Sequence, residues 1–263
     1  MLAKKIILLS PLFFYVLFNS ALAQELILNS EEQAYLKKAP TIKMCVDPDW
    51  LPYEKLDSQG RHIGLVAEYM ALISSRLNLN LSVVKTTSWE ETQKLYQNGM
   101  CDIVSALNKT PERENHLLFT EPYIKSPAVL VIKNSNVQTR QLADLNGKKL
   151  AMVKGYVYDE KLRKDYPGIQ IAYQTNMGIA LHKVSTGEID ATLGPLFLIF
   201  ALTQEQNLDN VKIMGNSEYQ DELRIGIKLG NTILANIFNK AVSSLSAEDH
   251  TLMRKSWAKK RKQ

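Results

Sequence analysis

Arg113 is the residue of this chain best suited to grip a small anion. Its guanidinium presents a planar fork of donors that matches a carboxylate. It lies in Ser105-Ala106-Leu107-Asn108-Lys109-Thr110-Pro111-Glu112-Arg113, a stretch that runs on through Phe119-Thr120-Glu121-Pro122-Tyr123. Ile103 to Leu107 reads as the end of a buried strand. Thr110-Pro111-Glu112-Arg113 opens a short helix with proline at its first position. Asn108, Thr110 and Arg113 therefore fall at the carboxyl end of a strand beside a helix N-terminus, where open α/β sheets bind ligands. An arginine that only pairs with a nearby glutamate on the surface is the competing reading, and this stretch alone does not separate the two.

Other chemistry is missing. There is no G-x-G-x-x-G after a strand, no Walker loop, no H-E-x-x-H, no G-x-S-x-G and no C-x-x-C. His62, His116, His182 and His250 stand at no metal spacing. No carboxylates are paired in a way that marks acid–base work. An ordinary hydrolase, nucleotide enzyme or metalloenzyme is disfavoured, and no cofactor is expected.

The elements that must position Arg113 follow from the patterning. Ser30-Glu31-Glu32-Gln33 is a capping box for a helix ending near Lys38, before Pro40. Thr41 to Val46 reads as a buried strand, and Asp47-Pro48-Asp49-Trp50-Leu51-Pro52-Tyr53 as a loop. A turn at Asp57-Ser58-Gln59-Gly60 precedes an amphipathic helix over Leu65 to Leu77. Leu81 to Thr86 is a strand. Ser88-Trp89-Glu90-Glu91 caps a helix ending at Asn98-Gly99, and Asp102 to Leu107 is the strand feeding Asn108. This β-α-β-α-β order predicts a parallel sheet. The order then recurs, with strands at 127–132, 148–153, 169–173 and 189–193 and helices at 158–164 and 178–186. Gly99-Met100-Cys101-Asp102 and Gly187-Glu188-Ile189-Asp190 echo each other at equivalent places. A helix at 195–203, separate strands at 211–214 and 222–228, and helices at 232–245 and 247–257 with Ser246 as N-cap complete the chain. Two similar lobes are expected, joined without a Gly/Ser/Pro-rich tether.

The ends carry their own signals. Lys4 and Lys5, an apolar run from Ile6 to Phe18 and the small-residue site Ala21-Leu22-Ala23 form a secretory leader. Of 32 basic residues, two lie in the leader and six in the tail (Arg254, Lys255, Lys259, Lys260, Arg261, Lys262), leaving 24 against 27 acidic residues. The body is slightly acidic, so no nucleic-acid partner is expected. The tail reads as a solvated helix end. Cys45 and Cys101 lie at strands of the same half. An exported context permits a bridge, but their heights along the strands do not obviously match, so two buried thiols are favoured over a disulfide.

Asp47 to Glu54, Ser88-Trp89, Ser105 to Glu114 and Phe119 to Tyr123, taken in order, resemble the bacterial extracellular solute-binding proteins of family 3, the polar-amino-acid type. Asn108 to Arg113 is most similar to the Venus-flytrap sensor domains before membrane histidine kinases and diguanylate cyclases. The resemblance covers about Thr41 to Trp257. It implies a type II periplasmic binding protein fold: two α/β lobes joined by two hinge strands, with a ligand cleft between them. Lobe 1 would hold residues 24–126 and 218–263, and lobe 2 residues 127–217. Tyr123 to Ser126 and Glu218 to Gln220 would be the hinge.

By the same resemblance, Arg113 matches the arginine that grips the ligand carboxylate, and Asn108 a position beside it. Trp50 and Trp89 match aromatic positions lining the ligand, with lobe core as the alternative for each. Asp47 matches a position that binds polar ligand groups, or else caps its loop. Gly155-Tyr156-Val157 matches the loop whose N–H groups face the carboxylate. Two departures stand out. Pro195 occupies the place of the acidic residue that holds the ligand ammonium, and Val157 replaces a frequent Ser or Thr. Asp47, Glu54 or Asp159 would have to compensate.

The expected function is non-enzymatic capture of a small carboxylate-bearing solute, an amino acid or derivative, in the periplasm for an ABC importer. The chain would be a monomer meeting a membrane permease. A periplasmic partner of a membrane sensor is the alternative, and a cyclohexadienyl-dehydratase-like enzyme the third. N-terminal sequencing of the exported protein is expected to begin at Gln24. Retention of residues 1–23 would contradict the leader assignment.

Overall fold

The computed structural model describes residues 26–38 and 41–260. The expected leader and the last three residues of the basic tail lie outside the described residues. Helix α1 (Ser30–Lys38) is followed by β1 (Thr41–Cys45), a small antiparallel sheet of β2 (Asp49–Trp50), β3 (Glu54–Leu56) and β4 (His62–Ile63), then α2 (Leu65–Leu77) and β5 (Asn80–Val83). Next come α3 (Trp89–Gln97), β6 (Ile103–Leu107), α4 (Pro111–Glu114), β7 (Leu117–Phe119) and the long β8 (Ile124–Lys133). The second half contains β9 (Lys149–Val153), α5 (Val157–Asp165), β10 (Gln170–Gln174), α6 (Met177–Thr186), β11 (Ala191–Pro195) and α7 (Leu196–Glu205). Strand β12 (Val211–Lys228) leads back to α8 (Thr232–Ser243) and α9 (Ala247–Lys260).

The strands line up as β10-β9-β11-β8-β12-β6-β1-β5, with β7 also on β12. At one end β5, β1 and β6 are parallel; at the other, β10, β9 and β11 are parallel. Between them β8 and β12 pair antiparallel with each other, β12 continuing onto β6 and β8 onto β11. The parallel sets are the sheets of two α/β lobes, and β8 and β12 are the strands that cross between them. Apolar faces of α2 and α8 cover the first sheet through Val66, Met70, Ile73, Leu234, Ile237 and Phe238, all buried.

The internal echo has a physical basis. Gly99 and Gly187 adopt positive φ at the ends of α3 and α6, where a left-handed residue terminates a helix. The aspartates that follow do the same work: Asp102 Oδ2 accepts the Lys43 N–H of β1 at 2.8 Å, and Asp190 Oδ2 accepts the Lys149 N–H of β9 at 2.8 Å. Each carboxylate accepts from a backbone N–H of the neighbouring parallel strand, so the two lobes repeat a hydrogen-bonding device as well as an element order.

Several expectations need correction. The first helix is capped by Asn29, not Ser30: Asn29 Oδ1 accepts the Glu32 N–H at 2.9 Å, and the Glu32 carboxylate accepts the Asn29 N–H at 2.8 Å. Asparagine is as good a cap as serine, and the acid three positions on completes the reciprocal box. The stretch after Asp47 is not wholly a loop, because Asp49–Trp50 pairs with β3. The two short strands expected around Glu218 are one strand, β12, with register shifts between Ile213 and Gln220. Gly215, at φ +103°, lets that strand bend without breaking.

Cys45 and Cys101 are joined in a disulfide, with Cα atoms 5.8 Å apart. The expected mismatch of heights is removed because the entry to β6 bends across β1: the Asp102 N–H donates to Lys43 O at 2.9 Å. The bridge closes a sequence separation of 56 residues, a loop for which chain-entropy arguments give about 4 kcal/mol. Urea denaturation of the Cys45→Ser/Cys101→Ser double variant is expected to show that loss. An unchanged transition would argue that the bridge adds nothing.

Candidate ligand-binding cleft

Strand β6 is buried throughout and delivers Asn108 to the interior. Thr110 then caps α4, its Oγ1 accepting the Arg113 N–H at 3.3 Å. The single turn that follows turns Arg113 back toward the cleft, where it is 7% exposed. Nη1 donates to Asn108 O at 2.7 Å, and Nη2 donates to Gly155 O, in the other lobe, at 2.8 Å. The guanidinium carbon lies 5.7 Å from the Trp89 ring centroid, a cation–π distance. Burial lowers the Arg113 pKa, while Tyr96, Glu112 and Asp221 oppose that effect. Arg113 therefore spans the two lobes. Gly155 permits the approach: its φ is +81°, and a Cβ there would meet the Gln93 side chain at 2.7 Å.

Two buried carboxyls share the cavity with Arg113. Asp221, on β12, accepts from Asn108 Nδ2 at 2.6 Å and from the Tyr158 hydroxyl. Asn108 Oδ1 in turn accepts the Glu222 N–H at 2.8 Å, which fixes the amide. Burial pushes Asp221 up to about 6, against the hydrogen bonds from Tyr158 and Asn108 and the charges of Arg113 and Lys161. Asp47, just after β1, accepts the Asp49 N–H at 3.0 Å. Burial pushes it up to about 8; the Asp49 N–H opposes the rise, and the Glu54 and Asp49 charges add to it.

Trp50 meets Tyr156 edge-on across the cleft, with centroids 5.9 Å apart. The indole N–H groups of Trp50 and Trp89 are buried and have no partner among the described residues, and both rings line the cavity. Unpaired buried donors cost free energy and call for an acceptor. The start of α5 adds Tyr156, Val157 and Tyr158 to the wall. The space left between these walls is about 30 Å³. The cleft is thus closed on itself, with Arg113 occupied by backbone carbonyls.

Of the residues singled out from sequence, Asp47, Trp50, Trp89, Asn108, Arg113, Tyr156 and Val157 line this cavity. Gly155 is brought to Arg113, but by its carbonyl and not its N–H. Pro195 is on the wall. Glu54 is not in the cleft. It is fully buried and accepts from the Asp47 N–H at 2.8 Å, Ser105 Oγ at 2.6 Å and His62 Nε2 at 2.9 Å, ordering the loop beneath the site. Asp159 is engaged by Arg163 at 2.8 Å and by Tyr173. Sequence reasoning missed Asp221 and Tyr158. For Asp221 a signal existed: the alternation of buried Leu223, Ile225 and Ile227, extended backward by two, places Asp221 and Tyr219 on the same face. No His/Cys/Asp/Glu group that could hold a metal occurs among the described residues, and none of their helices is long and apolar enough to cross a membrane.

The two raised carboxyls set a pH dependence. Each binds a proton in the folded state that the unfolded chain has already released above the ordinary aspartate pKa. Their stabilising protonation is therefore lost as pH rises from near 4 through about 6 for Asp221 and about 8 for Asp47. The melting temperature is expected to fall between pH 5 and pH 8, and Asp47→Asn to flatten the fall. A wild-type melting temperature that is level or rising over that range would contradict this.

With this geometry in place, comparison with known proteins adds the following. The sequence model of the bacterial extracellular solute-binding proteins, family 3, matches residues 42–260. The sensor protein EvgS of Escherichia coli K12 is 24% identical over 251 residues, covering 90% of this chain and 20% of EvgS; this chain thus spans about a fifth of that relative's length. The L-cystine-binding protein TcyJ of the same strain is 24% identical over 82% of this chain and 81% of its own length. Among solved structures, the periplasmic VFT2 domain of Bordetella pertussis BvgS superposes with a TM-score of 0.80 at 22% identity, covering 88% of this chain and 99% of that domain.

Proposed function

Because this chain belongs to the bacterial extracellular solute-binding proteins, family 3, we propose that its cleft captures a small solute carrying both a carboxylate and a basic nitrogen, an amino acid or a derivative of one, without turning it over. The observation that carries this is the company Arg113 keeps. A buried guanidinium, two indole N–H donors without a partner among the described residues, and two buried carboxyls line one cavity between two lobes. The guanidinium and the indoles are donors for a carboxylate. Asp221, held by Asn108 and Tyr158, offers an acceptor for a cationic nitrogen and takes the role that Pro195 cannot. Aromatic rings of Trp50, Trp89 and Tyr156 pack the carbon skeleton between them.

In this reading the ligand carboxylate replaces the Gly155 carbonyl on Arg113, so the arginine joins the lobes through the ligand instead of directly. Ligand binding then shifts the balance between open and closed forms by contacting both lobes. Lobe 1 comprises residues 24–126 and 218–263, and lobe 2 residues 127–217. The exported protein works in the periplasm and hands its ligand to an ABC importer. A second reading keeps the capture and changes the recipient to a membrane sensor; the EvgS match over nine-tenths of the chain favours it. Co-purification from membranes separates the two: permease subunits support import, and a sensor kinase or cyclase supports signalling.

Thermal-shift screening against amino acids, their derivatives and small organic acids is expected to find a stabilising zwitterion or cation. Arg113→Ala is expected to weaken it about 30-fold or more, as truncating one side of a buried charge pair does. Asp221→Asn is expected to weaken ligands with a basic nitrogen far more than their nitrogen-free analogues. A hit that both variants bind like wild type would sink the assignment.

A further inference from the structure

A second cavity, of about 190 Å³, lies beside the crossing strands and apart from the cleft. Its walls are aromatic: Tyr53 and Tyr69 come from the first lobe, Tyr123 from the start of the crossing, and Phe197 from α7 of the second. It is larger than the roughly 150 Å³ apolar cavity that suffices to hold benzene. The Tyr53 hydroxyl is buried with no hydrogen-bond partner among the described residues. Ser126 stands beside it, but the Ser126 Oγ is turned to Pro127 O at 3.4 Å. The other tyrosines are satisfied: Tyr123 donates to Ser105 O at 2.8 Å, and Tyr69 bonds His250 Nδ1 at 2.7 Å.

Two cationic side chains stand at this cavity. Lys125, exposed on the rim, pairs with Glu222 at 3.6 Å, whereas Arg254 lines the cavity and makes no ion pair with a described residue. The nearby carboxylates are already engaged, Asp249 by Arg76 at 2.8 Å and Glu222 by Arg224 at 2.8 Å. An apolar, ring-sized volume walled by Tyr53, whose hydroxyl has no partner among the described residues, and edged by Arg254, which makes no ion pair with any of them, fits a small organic anion.

We propose that this cavity is a second ligand site, for a small organic anion consisting of one ring or short apolar body and a single carboxylate. The ring packs among Tyr53, Tyr69 and Phe197, the Tyr53 hydroxyl donates to the bound molecule, and Arg254 pairs with its carboxylate. Tyr53 and Phe197 belong to different lobes and meet edge-on with centroids 6.0 Å apart. An occupant touching both therefore favours the closed arrangement, and the site is a place from which a second metabolite can tune the cleft. This does not depend on what the cleft itself binds.

The test uses ¹⁹F NMR of the mature protein with 4-fluorobenzoate, beside neutral 4-fluorobenzamide and cationic 4-fluorobenzylamine. Saturable 1:1 binding of 4-fluorobenzoate in the low-millimolar range or tighter is expected for a probe of this size. Arg254→Ala, at an exposed position where folding is not at risk, is expected to weaken it about fivefold or more, and Tyr53→Phe to weaken it also. Arg113→Ala, which acts on this site only through the lobe angle, is expected to weaken it less than Arg254→Ala does. The proposal is overturned if wild type shows no saturable binding, if the amide or the amine binds as well as the acid, or if Arg113→Ala abolishes binding while Arg254→Ala does not.

Discussion

A buried guanidinium is the constraint around which this molecule is arranged. Arg113 has been taken out of water, and that is tolerable only if its donors are met and its charge is balanced. The chain meets the donors with Asn108 O from one lobe and Gly155 O from the other, stacks the cation on Trp89, and places the Asp221 carboxyl in the same cavity. Each partner is itself held. Asn108 is fixed by its bonds to Asp221 and to the Glu222 N–H, and Asp221 by Tyr158 from the second lobe. The contacts that satisfy one arginine are thus the contacts that close the two lobes.

That closure rests on a frame built twice. Each lobe has a short parallel sheet whose neighbouring strand is anchored by an aspartate, Asp102 or Asp190, after a glycine-terminated helix. The two frames share β8 and β12, whose paired stretch sets Asp221 opposite Ser126. The same passage bounds both cavities: the cleft on the side of Arg113, and the aromatic pocket on the side of Tyr53 and Tyr123. A change of lobe angle is therefore felt by both, because Tyr53 and Phe197 face each other as Trp50 and Tyr156 do.

Much of this was legible in the sequence because it is local. Helix periodicity gave α2 from Leu65 to Leu77, Ser88 gave the cap of α3, and the Thr110-Pro111 pair gave the turn that aims Arg113. What escaped was non-local. Asp221 is more than 100 residues from Asn108, its partner, and its burial follows from the register of one bent strand where the pattern suggests two separate ones. The disulfide escaped for the same reason, since only the bend entering β6 brings Cys101 alongside Cys45. Asn29 was passed over in favour of Ser30 because both can cap and one residue separates them. Most of the positions named by the family resemblance line one cavity, but the resemblance could not foresee that Gly155 turns its carbonyl to Arg113.

The central claim is that Arg113 and Asp221 select a solute bearing both a carboxylate and a basic nitrogen. Native mass spectrometry of the protein taken from the periplasm, followed by identification of what denaturation releases, addresses it most directly. The account predicts a bound small molecule with both groups, present on wild type and missing from Arg113→Ala. A released species without a carboxylate, or one retained in full by Arg113→Ala, would contradict it.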